Sequence, residues 1–238
     1  MSLPGRNSGT GGVRGAVVVM AKAPREGLVK TRLSGAYPVC EVVQLSECML
    51  RDTIALAQKL SRVQVAVMCP SEDVADIEAQ VPADVHVVGQ RGDGLAAALA
   101  SVFEHFVPRF HRVVAVDSDS PHLPVAILHS AFDLLERNEV VVGPTEDGGY
   151  YLVGASSMHS RLFDPASLGT DNARDALLGN ARALGLSVAL TEAWYDVDVP
   201  ADLSRLAAEL RLEPARAPRT AALLASWRLE AHDDERAG

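Results

Sequence analysis

Short apolar runs alternate with longer amphipathic segments through the first 142 residues of the chain. Apolar runs rich in β-branched residues predict buried strands of a parallel sheet, at residues 15–21, 63–68, 85–88, 113–116 and 140–142. Apolar side chains at helical spacing predict helices between these strands, over residues 39–60, 72–80, 92–106 and 124–135. The alternation therefore predicts an α/β fold, with a mostly parallel, Rossmann-like sheet flanked by helices.

The pattern changes after Gly143. Residues 150–153 alternate between apolar and polar in the manner of an edge or antiparallel strand, and residues 187–190 predict a further strand. Helices are predicted over residues 173–184, 201–212 and 220–230, whereas the pattern of residues 160–169 is ambiguous. The second part of the chain is therefore expected to complete the sheet in a less regular way than the first.

Composition divides the chain into three parts. Residues 1–14 are rich in Gly, Ser and Asn and lack periodicity, which predicts a flexible N-terminal tail. Residues 15–212 are predicted to form one domain. Prolines at positions 214 and 218 then interrupt the chain, so residues 213–238 are predicted to form a helical extension. This extension is expected to pack on the domain or on a second copy of the chain, as a homodimer.

The bulk composition excludes several classes of protein. A net charge of −9 and a pI near 5.2 argue against a nucleic-acid partner, which needs a basic surface. The three cysteines show no C-x-x-C spacing, which suits a reducing cytoplasm better than a disulfide framework. No apolar run is long enough for a membrane span, and no H-x-x-x-H pair supports a zinc site. We therefore expect a cytoplasmic protein with a small-molecule ligand.

Two aspartates follow the fourth predicted strand. In the stretch V-V-A-V-D-S-D-S-P, alternation along an extended chain places Asp117 and Asp119 on the same face. Two carboxylates about 4 Å apart repel each other by a few kcal/mol at a protein-like dielectric constant. A hard divalent cation, Mg²⁺ or Mn²⁺, removes this repulsion and can bind a diphosphate. The alternative is a polar strand end whose acids cap the next helix.

A basic loop follows the first predicted strand. Lys22, Lys30 and Arg32 lie where ligands bind in open α/β sheets, and their side chains can bond phosphate oxygens. Gly27 would allow backbone N–H groups to approach the same phosphates. The loop is not a Walker A motif, because Val29 replaces the glycine before the lysine. The alternative is a loop of solvated lysines and arginines.

A glycine motif opens the third predicted helix. Gly92-x-Gly94-x-x-Ala97 fits the dinucleotide fingerprint, and Asp117 lies at about the distance expected of a ribose-binding acid. A Rossmann dehydrogenase is therefore an alternative hypothesis. The motif follows the third strand rather than the first, and a ribose-binding acid does not require a second carboxylate at Asp119, so we favour other functions.

Two further polar segments lie in the second half of the chain. Asp147, Gly148, Gly149 and Tyr150 could form an ordinary hairpin turn, or a place where a substrate lies against backbone. Asp196 and Asp198 repeat the two-apart spacing of the first aspartate pair, and Asp202 follows as a helix first-turn acid. Two acid pairs on either side of a Gly-Gly turn suggest a shared cation.

With these motifs, the chain resembles the GT-A-fold nucleotide-diphospho-sugar transferase superfamily. It is most similar to a bacterial glycosyltransferase-like group with members assigned to arsenosugar biosynthesis. The similar stretches are M-A-K-A-P-R-E-G-L-V-K-T-R-L (20–33), D-S-D-S-P-H-L-P (117–124), G-P-T-E-D-G-G-Y-Y-L-V-G (143–154) and D-V-D-V-P-A-D-L (196–203). The resemblance implies nucleotide phosphates at Lys22, Lys30 and Arg32. It also implies a cation at Asp119, with Asp117 or Asp198.

The same resemblance implies donor or acceptor contacts at residues 147–150, with Asp119 and Asp147 as catalytic residues.

Two departures from the family pattern stand out. The family usually has an arginine where this chain has Ala98, and its Trp-Ser/Thr element is replaced by S-L-G-T-D at residues 167–171. The segment from Gly94 to Leu99 instead resembles the phospholactate guanylyltransferases, which share the late Asp-Val-Asp motif.

The resemblance thus implies a metal-dependent, glycosyltransferase-like enzyme that uses a nucleotide-sugar donor and a small-molecule acceptor. One alternative is a nucleotidyltransferase that joins a nucleoside monophosphate to a small phosphorylated acid, with Gly94 near the nucleotide. Another is a catalytically degenerate protein that retains the nucleotide pocket but lacks turnover.

Overall fold

The computed structural model of the chain describes residues 13–164 and 173–227. Most of the predicted N-terminal tail and the S-L-G-T-D segment at residues 167–171 lie outside the described residues, as does the end of the predicted C-terminal extension. In the described part of the chain, no helix has the length and apolar character needed to cross a membrane.

Seven strands and seven α-helices are present within the described residues. The strands are β1 (Gly15–Met20), β2 (Val63–Cys69), β3 (His86–Gly89), β4 (Arg112–Asp117), β5 (Val140–Pro144), β6 (Tyr150–Ala155) and β7 (Val188–Leu190). The helices are α1 (Val39–Ala57), α2 (Val74–Glu78), α3 (Gly94–Phe106), α4 (Val125–Leu134), α5 (Ala173–Ala183), α6 (Pro200–Leu212) and α7 (Pro218–Ser226). Short 3₁₀ helices occupy Ser71–Asp73, Ser160–Phe163 and Pro214–Arg216.

The strands form one sheet in the order β3-β2-β1-β4-β6-β5-β7. Neighbouring strands are parallel except at β6, which is antiparallel to both β4 and β5. The predicted α/β fold with a mostly parallel sheet is therefore confirmed. Of the two predictions for residues 150–153, the antiparallel strand is confirmed and the edge strand is wrong. The strand lies between β4 and β5 in the sheet, and its residues 151–155 are all buried.

Helices cover both faces of the sheet. In β1, Val17 and Val19 pack with Leu50 of α1 and Leu128 of α4 on one face. The alternate positions Ala16 and Val18 pack with α3 and α5 on the other face. Burial on both faces explains why this strand is a continuous apolar run in the sequence.

Several helices are shorter than their apolar patterns predict. The first ends at Ala57 rather than at residue 60, because Lys59 and Leu60 bond the carbonyls three residues back in a tightened last turn. The second spans five residues and is preceded by a 3₁₀ turn. The last helix begins at Pro218, two residues earlier than predicted, and proline at this first position suits a helix start.

Helix α7 packs against α1 and α6 in a third apolar cluster. Leu45 and Met49 of α1 contact Leu206 of α6 and Leu224 of α7 there. The buried carboxylate of Asp52, also on α1, accepts four hydrogen bonds from the start of α7. Its donors are the backbone N–H groups of Arg219 (3.3 Å) and Thr220 (2.8 Å), the Arg219 guanidinium (3.2 Å) and the Thr220 hydroxyl (2.9 Å).

We expect Asp52→Asn to lower the free energy of unfolding by about 2 kcal/mol, because hydrogen bonds to a charged acceptor are stronger than those to an amide. Urea denaturation measures this difference. The matched control is Glu47→Gln on the same helix, which removes a carboxylate that is only half-buried. This control should stay within about 0.5 kcal/mol of the parent. Equal losses in the two variants would contradict the role assigned to Asp52.

Candidate active site

A cavity of about 700 Å³ lies at the carboxyl ends of β1, β2 and β4 and at the start of α3. Open parallel sheets bind ligands at this edge. The cavity brings together six of the residues predicted from the sequence, namely Lys22, Lys30, Gly94, Asp117, Asp119 and Asp198. The other predicted residues, Gly27, Arg32 and residues 147–150, are not among those that line it.

The first acidic pair lies in a turn. Strand β4 ends at Asp117, and the carboxylate of Asp117 accepts a hydrogen bond of 2.9 Å from the backbone N–H of Asp119. Strand alternation therefore does not continue past Asp117, and Ser118 lines the cavity as well. The two aspartates share the cavity because the chain turns there, and not because they occupy one face of a strand.

Hydrogen bonds hold the second acidic segment beside the first. The backbone N–H of Val197 donates to the carbonyl of Asp119 at 3.1 Å. The carboxylate of Asp202, in the first turn of α6, accepts a hydrogen bond of 3.0 Å from the backbone N–H of Asp198. Asp202 is a first-turn acid of a helix, as predicted, and its hydrogen bond positions the backbone of Asp198.

The Lys30 ammonium lies between the two acidic segments. Its Nζ atom is 2.8 Å from the Oδ1 atom of Asp119 and 2.8 Å from the Oδ1 atom of Asp198. Burial opposes the charge on Lys30, but the two carboxylates outweigh that effect and raise its pKa. The backbone of Lys30 adopts the left-handed region at φ 46, which costs a non-glycine residue about 1–3 kcal/mol.

These carboxylates fit a cation, because oxygens of Asp119 and Asp198 converge on one point. Hard carboxylate oxygens are the ligands that Mg²⁺ and Mn²⁺ prefer. Within the described residues, however, no group of three or more acidic, His or Cys side chains is arranged as a ready metal site. The metal role predicted for Asp117, Asp119 and Asp198 therefore stays a prediction. In the ligand-free structure the Lys30 ammonium lies between two of these carboxylates.

Burial and, after it, neighbouring carboxylates raise the pKa values of two of the acids. Burial, followed by the charges of Asp196 and Asp119, raises the pKa of Asp117 well above its ordinary value. Burial, followed by the charges of Asp119 and Asp198, raises the pKa of Asp196 to about 7. The sequence pattern predicts a cation shared by the two acid pairs, and Asp196 is the member of the second pair that was not named as a metal ligand.

The basic loop after β1 is partly neutralised by acids. The Arg25 guanidinium forms ion pairs with Asp73 at 2.9 Å and with Asp76 at 2.6 Å. The Asp73 carboxylate also accepts a hydrogen bond of 2.8 Å from the backbone N–H of Ala23, which fixes the start of the loop. Lys22 is exposed to the cavity and forms no ion pair with the residues that the structure describes. It is therefore available to an anionic ligand.

Gly27 and Arg32 occupy other parts of this loop. Gly27 has φ 72 and is exposed, and a methyl group at its position would contact nothing within 4 Å. Its glycine is explained by the left-handed turn rather than by a close approach. Arg32 is exposed, and its positive charge contributes to a lowered pKa at Asp147. Arg32 thus faces the hairpin at residues 147–150.

That hairpin joins β5 to β6 through a tight turn. The Asp147 carboxylate accepts hydrogen bonds from the Thr145 hydroxyl (2.5 Å) and from the backbone N–H of Gly149 (3.2 Å), and the Thr145 bond does most to lower its pKa. Gly148 has φ 98, and a Cβ atom at Gly149 would lie 2.8 Å from the Thr145 hydroxyl. Burial raises the pKa of Tyr150. These contacts support the turn interpretation, and the substrate roles stay predictions.

The glycine motif forms the N-terminus of α3. Gly94, with φ 82, is the first residue of the helix, and the Asp93 side chain does not cap it. The motif follows β3, which is the edge strand of the sheet. A dinucleotide fingerprint would follow the central strand β1 instead. This position weakens the dehydrogenase hypothesis and leaves backbone N–H groups at the cavity.

We expect Asp196→Asn to flatten the pH dependence of stability in metal-free buffer. Because the pKa of Asp196 in the folded protein, about 7, exceeds its ordinary value of 3.8, the folded state binds more protons between these values. Its contribution is present below about pH 4 and is lost as the pH rises through 7. Thermal unfolding at pH 5 and pH 8 should show a larger fall in Tm for the parent than for the variant. Asp133→Asn, an exposed aspartate on α4, should behave as the parent, and equal falls in all three proteins would refute the assignment.

Comparisons with known proteins agree with this architecture. Residues 53–170 match the family DUF2064, described as "Uncharacterized protein conserved in bacteria". The 2-phospho-L-lactate guanylyltransferase of Methanothermobacter thermautotrophicus is 29% identical over 184 residues, which cover 74% of this chain and 78% of that protein. This relative confirms the predicted similarity to the phospholactate guanylyltransferases.

Two solved structures show the same fold. A candidate nucleotide-diphospho-sugar transferase from Desulfovibrio desulfuricans G20 is 25% identical, with a TM-score of 0.81 over 89% of this chain and 94% of that chain. The 4-diphosphocytidyl-2C-methyl-D-erythritol synthase of Anaerococcus prevotii DSM 20548 is 11% identical, with a TM-score of 0.57 over 83% and 96% of the two chains. The guanylyltransferase and the nucleotide-diphospho-sugar transferase are named as transferases, in agreement with the enzyme class predicted from the sequence. The chain has the fold of the nucleotide-diphospho-sugar transferases, and its residues 53–170 match the DUF2064 family.

Proposed function

We propose that the protein is a metal-dependent transferase that uses a nucleotide-sugar donor. The observation that supports this proposal most is the cavity, which joins groups suited to each part of such a donor. Lys22 and the N-terminus of α3 suit phosphates, and Asp119 and Asp198 suit a cation. Leu28 and Leu95 line the same cavity with 59% and 46% of their surface exposed, which suits a nucleobase.

In the proposed reaction, the residues of the chain bind and orient the donor. The Lys22 ammonium and the free N–H groups at the start of α3 would hold the phosphates by charge-assisted hydrogen bonds. Asp119, with Asp117 or Asp198, would hold Mg²⁺ or Mn²⁺. The cation would supply the positive charge that stabilises a departing diphosphate.

The charge of the cavity favours a donor with few phosphates. Its lining, among the described residues, has three basic side chains (Lys22, Arg25 and Lys30) and six acidic ones (Glu72, Asp73, Asp93, Asp117, Asp119 and Asp198). An acidic cavity disfavours a polyanion unless cations compensate. A nucleotide sugar has two ionised phosphate groups, fewer than a nucleoside triphosphate, so it requires less compensation.

A nucleotidyltransferase is the second candidate. The guanylyltransferase relative extends over 74% of the chain, and the Gly94–Leu99 segment that resembles those enzymes begins α3 at the cavity. In this reaction an acceptor phosphate would attack the donor α-phosphate in line and expel pyrophosphate.

The acceptor is proposed to bind near the hairpin at residues 147–150. Asp147 lies close enough to Asp196 to raise its pKa, so the hairpin is next to the acidic cluster. Because its own pKa is lowered, Asp147 is ionised at neutral pH. It would bind an acceptor hydroxyl or ammonium group, with Arg32 beside it for an anionic group.

The homodimer through the C-terminal helix and the cytoplasmic location stay predictions.

A panel of ligands tests the proposed donor. We expect nucleotide sugars with Mn²⁺ to raise Tm more than nucleoside triphosphates do. A ligand at a hundred times its dissociation constant adds about 2.7 kcal/mol of stability, and differential scanning fluorimetry detects such a shift. Stabilisation by GTP with none by nucleotide sugars, together with pyrophosphate release, would establish the nucleotidyl reaction instead. Binding of a donor without turnover of any acceptor would indicate a degenerate binding protein.

We expect Asp119→Asn to abolish Mn²⁺-dependent nucleotide binding and to leave the fold nearly unchanged, because the substitution removes a ligand and relieves carboxylate repulsion. Isothermal titration calorimetry with and without Mn²⁺ measures the effect. Asp133→Asn again serves as the control, since Asp133 is an exposed residue of α4 that does not line the cavity. Parent-like Mn²⁺ and nucleotide affinities in Asp119→Asn would show that the metal assignment is wrong.

A further inference from the structure

The Lys30 side chain is almost fully enclosed, whereas both of its carboxylate partners remain open to the cavity. Its exposed fraction is 6%, compared with 39% for Asp119 and 45% for Asp198. The ammonium contacts the Oδ1 atom of each carboxylate at 2.8 Å. A ligand in the cavity can therefore reach the carboxylates of Asp119 and Asp198, but both are already paired with the Lys30 ammonium.

In the ligand-free protein, the Lys30 ammonium compensates part of the negative charge of the surrounding aspartates. Its positive charge acts against the raised pKa values of Asp117 and Asp196, although burial and neighbouring carboxylates dominate at both. Four aspartates (Asp117, Asp119, Asp196 and Asp198) thus share one lysine. Without Lys30 they would face one another uncompensated in a partly buried site.

The backbone of the loop is fixed at Lys30 by a left-handed conformation and a hydrogen bond. Its positive φ is a conformation that lysine rarely adopts, and its carbonyl accepts a hydrogen bond of 2.9 Å from the backbone N–H of Leu33. Leu33 is itself fully buried in the apolar cluster with α1 and α6. The turn is therefore anchored, whereas the four-carbon side chain of Lys30 has rotatable bonds through which the ammonium can exchange one partner for another.

A divalent cation and the ammonium compete for the same oxygens. Mg²⁺ binds carboxylate oxygens at about 2.0–2.1 Å, so a cation that bound the Oδ1 atoms of both Asp119 and Asp198 would take the place of Nζ. Two positive charges at this separation repel strongly at any protein-like dielectric constant. One of them has to leave before the other can bind both carboxylates.

We propose that Lys30 is a resident counter-ion of the acidic cluster, which yields Asp119 and Asp198 to the divalent cation when a phosphate group in the cavity attracts its ammonium. This inference rests on the proposed function, in which a nucleotide phosphate and a metal occupy the same cavity. Lys30 thereby couples the two ligands. The metal binds weakly by itself and more tightly beside a diphosphate, and reciprocity requires the diphosphate to bind more tightly beside the metal.

The matched variants Lys30→Met and Lys22→Met test the coupling. Mn²⁺ affinity is measured by electron paramagnetic resonance, and inorganic pyrophosphate serves as the diphosphate probe at buffered free Mn²⁺. We expect Lys30→Met to bind Mn²⁺ alone about tenfold more tightly than the parent, and its coupling factor to fall by a similar amount, within the range usual for coupled sites. Lys22→Met should weaken pyrophosphate binding, leave the affinity for Mn²⁺ alone unchanged and retain the coupling.

A second measurement uses the unaltered protein, in case Lys30→Met does not fold. Acetylation by acetic anhydride, followed by mass spectrometry, compares the reactivities of Lys30 and Lys22. Lys30 should react slowly in the ligand-free protein, and saturating Mn²⁺ should increase its rate several-fold without changing the rate of Lys22. Mn²⁺ binding that leaves the Lys30 rate unchanged would overturn the inference.

The two proposals fail in different ways. If Mn²⁺ and pyrophosphate both bind the parent but Lys30→Met alters neither the affinity for Mn²⁺ alone nor the coupling, only the role of Lys30 is overturned. If the parent binds neither probe, the proposed function is overturned together with the role of Lys30.

Discussion

The parallel pairing of β1 with β4 is the constraint on which the cavity depends. In this register Met20, the last residue of β1, lies opposite Asp117, the last residue of β4. The basic loop and the acidic turn therefore leave the sheet at the same height and on the same edge. Hydrogen bonds such as Val197 N–H to the Asp119 carbonyl then add the second acidic segment. Opposite charges from three distant parts of the sequence meet because two strands share a register.

Much of this arrangement could be predicted from the sequence, because its cause is local. The buried strands are apolar runs, and parallel strands bring their carboxyl-terminal loops to one edge. The pairing of Lys30 with Asp119 and Asp198 could not be predicted, because it spans up to 168 residues and depends on a left-handed backbone at a lysine. The ion pairs of Arg25 could not be predicted either. The sequence shows only another basic residue in the loop, whereas in the fold its guanidinium pairs with Asp73 and Asp76.

The acidic character of the cavity distinguishes it from a simple phosphate site. Phosphate-binding loops usually present unpaired cations and backbone N–H groups. Here Lys22 and the start of α3 have that character, whereas the rest of the lining is rich in carboxylates. Such a surface binds an anion well only together with a cation. The transferase fold and the charge pattern therefore point to a ligand that arrives with its own positive charge or acquires one in the cavity.

Helix α1 connects this cavity to α7, the last helix that the structure describes. Ser46 and Leu50 line the cavity, and Asp52, on the same helix, caps the start of α7. Leu45 and Met49, also on α1, pack in one apolar cluster with Leu224 of α7. Removal of residues 213–227 would leave a carboxylate and several leucines of the domain without their native partners. A chain ending at residue 212 should therefore be less stable than one that retains α7, because the Asp52 carboxylate and the apolar surfaces of α1 and α6 would lose these partners.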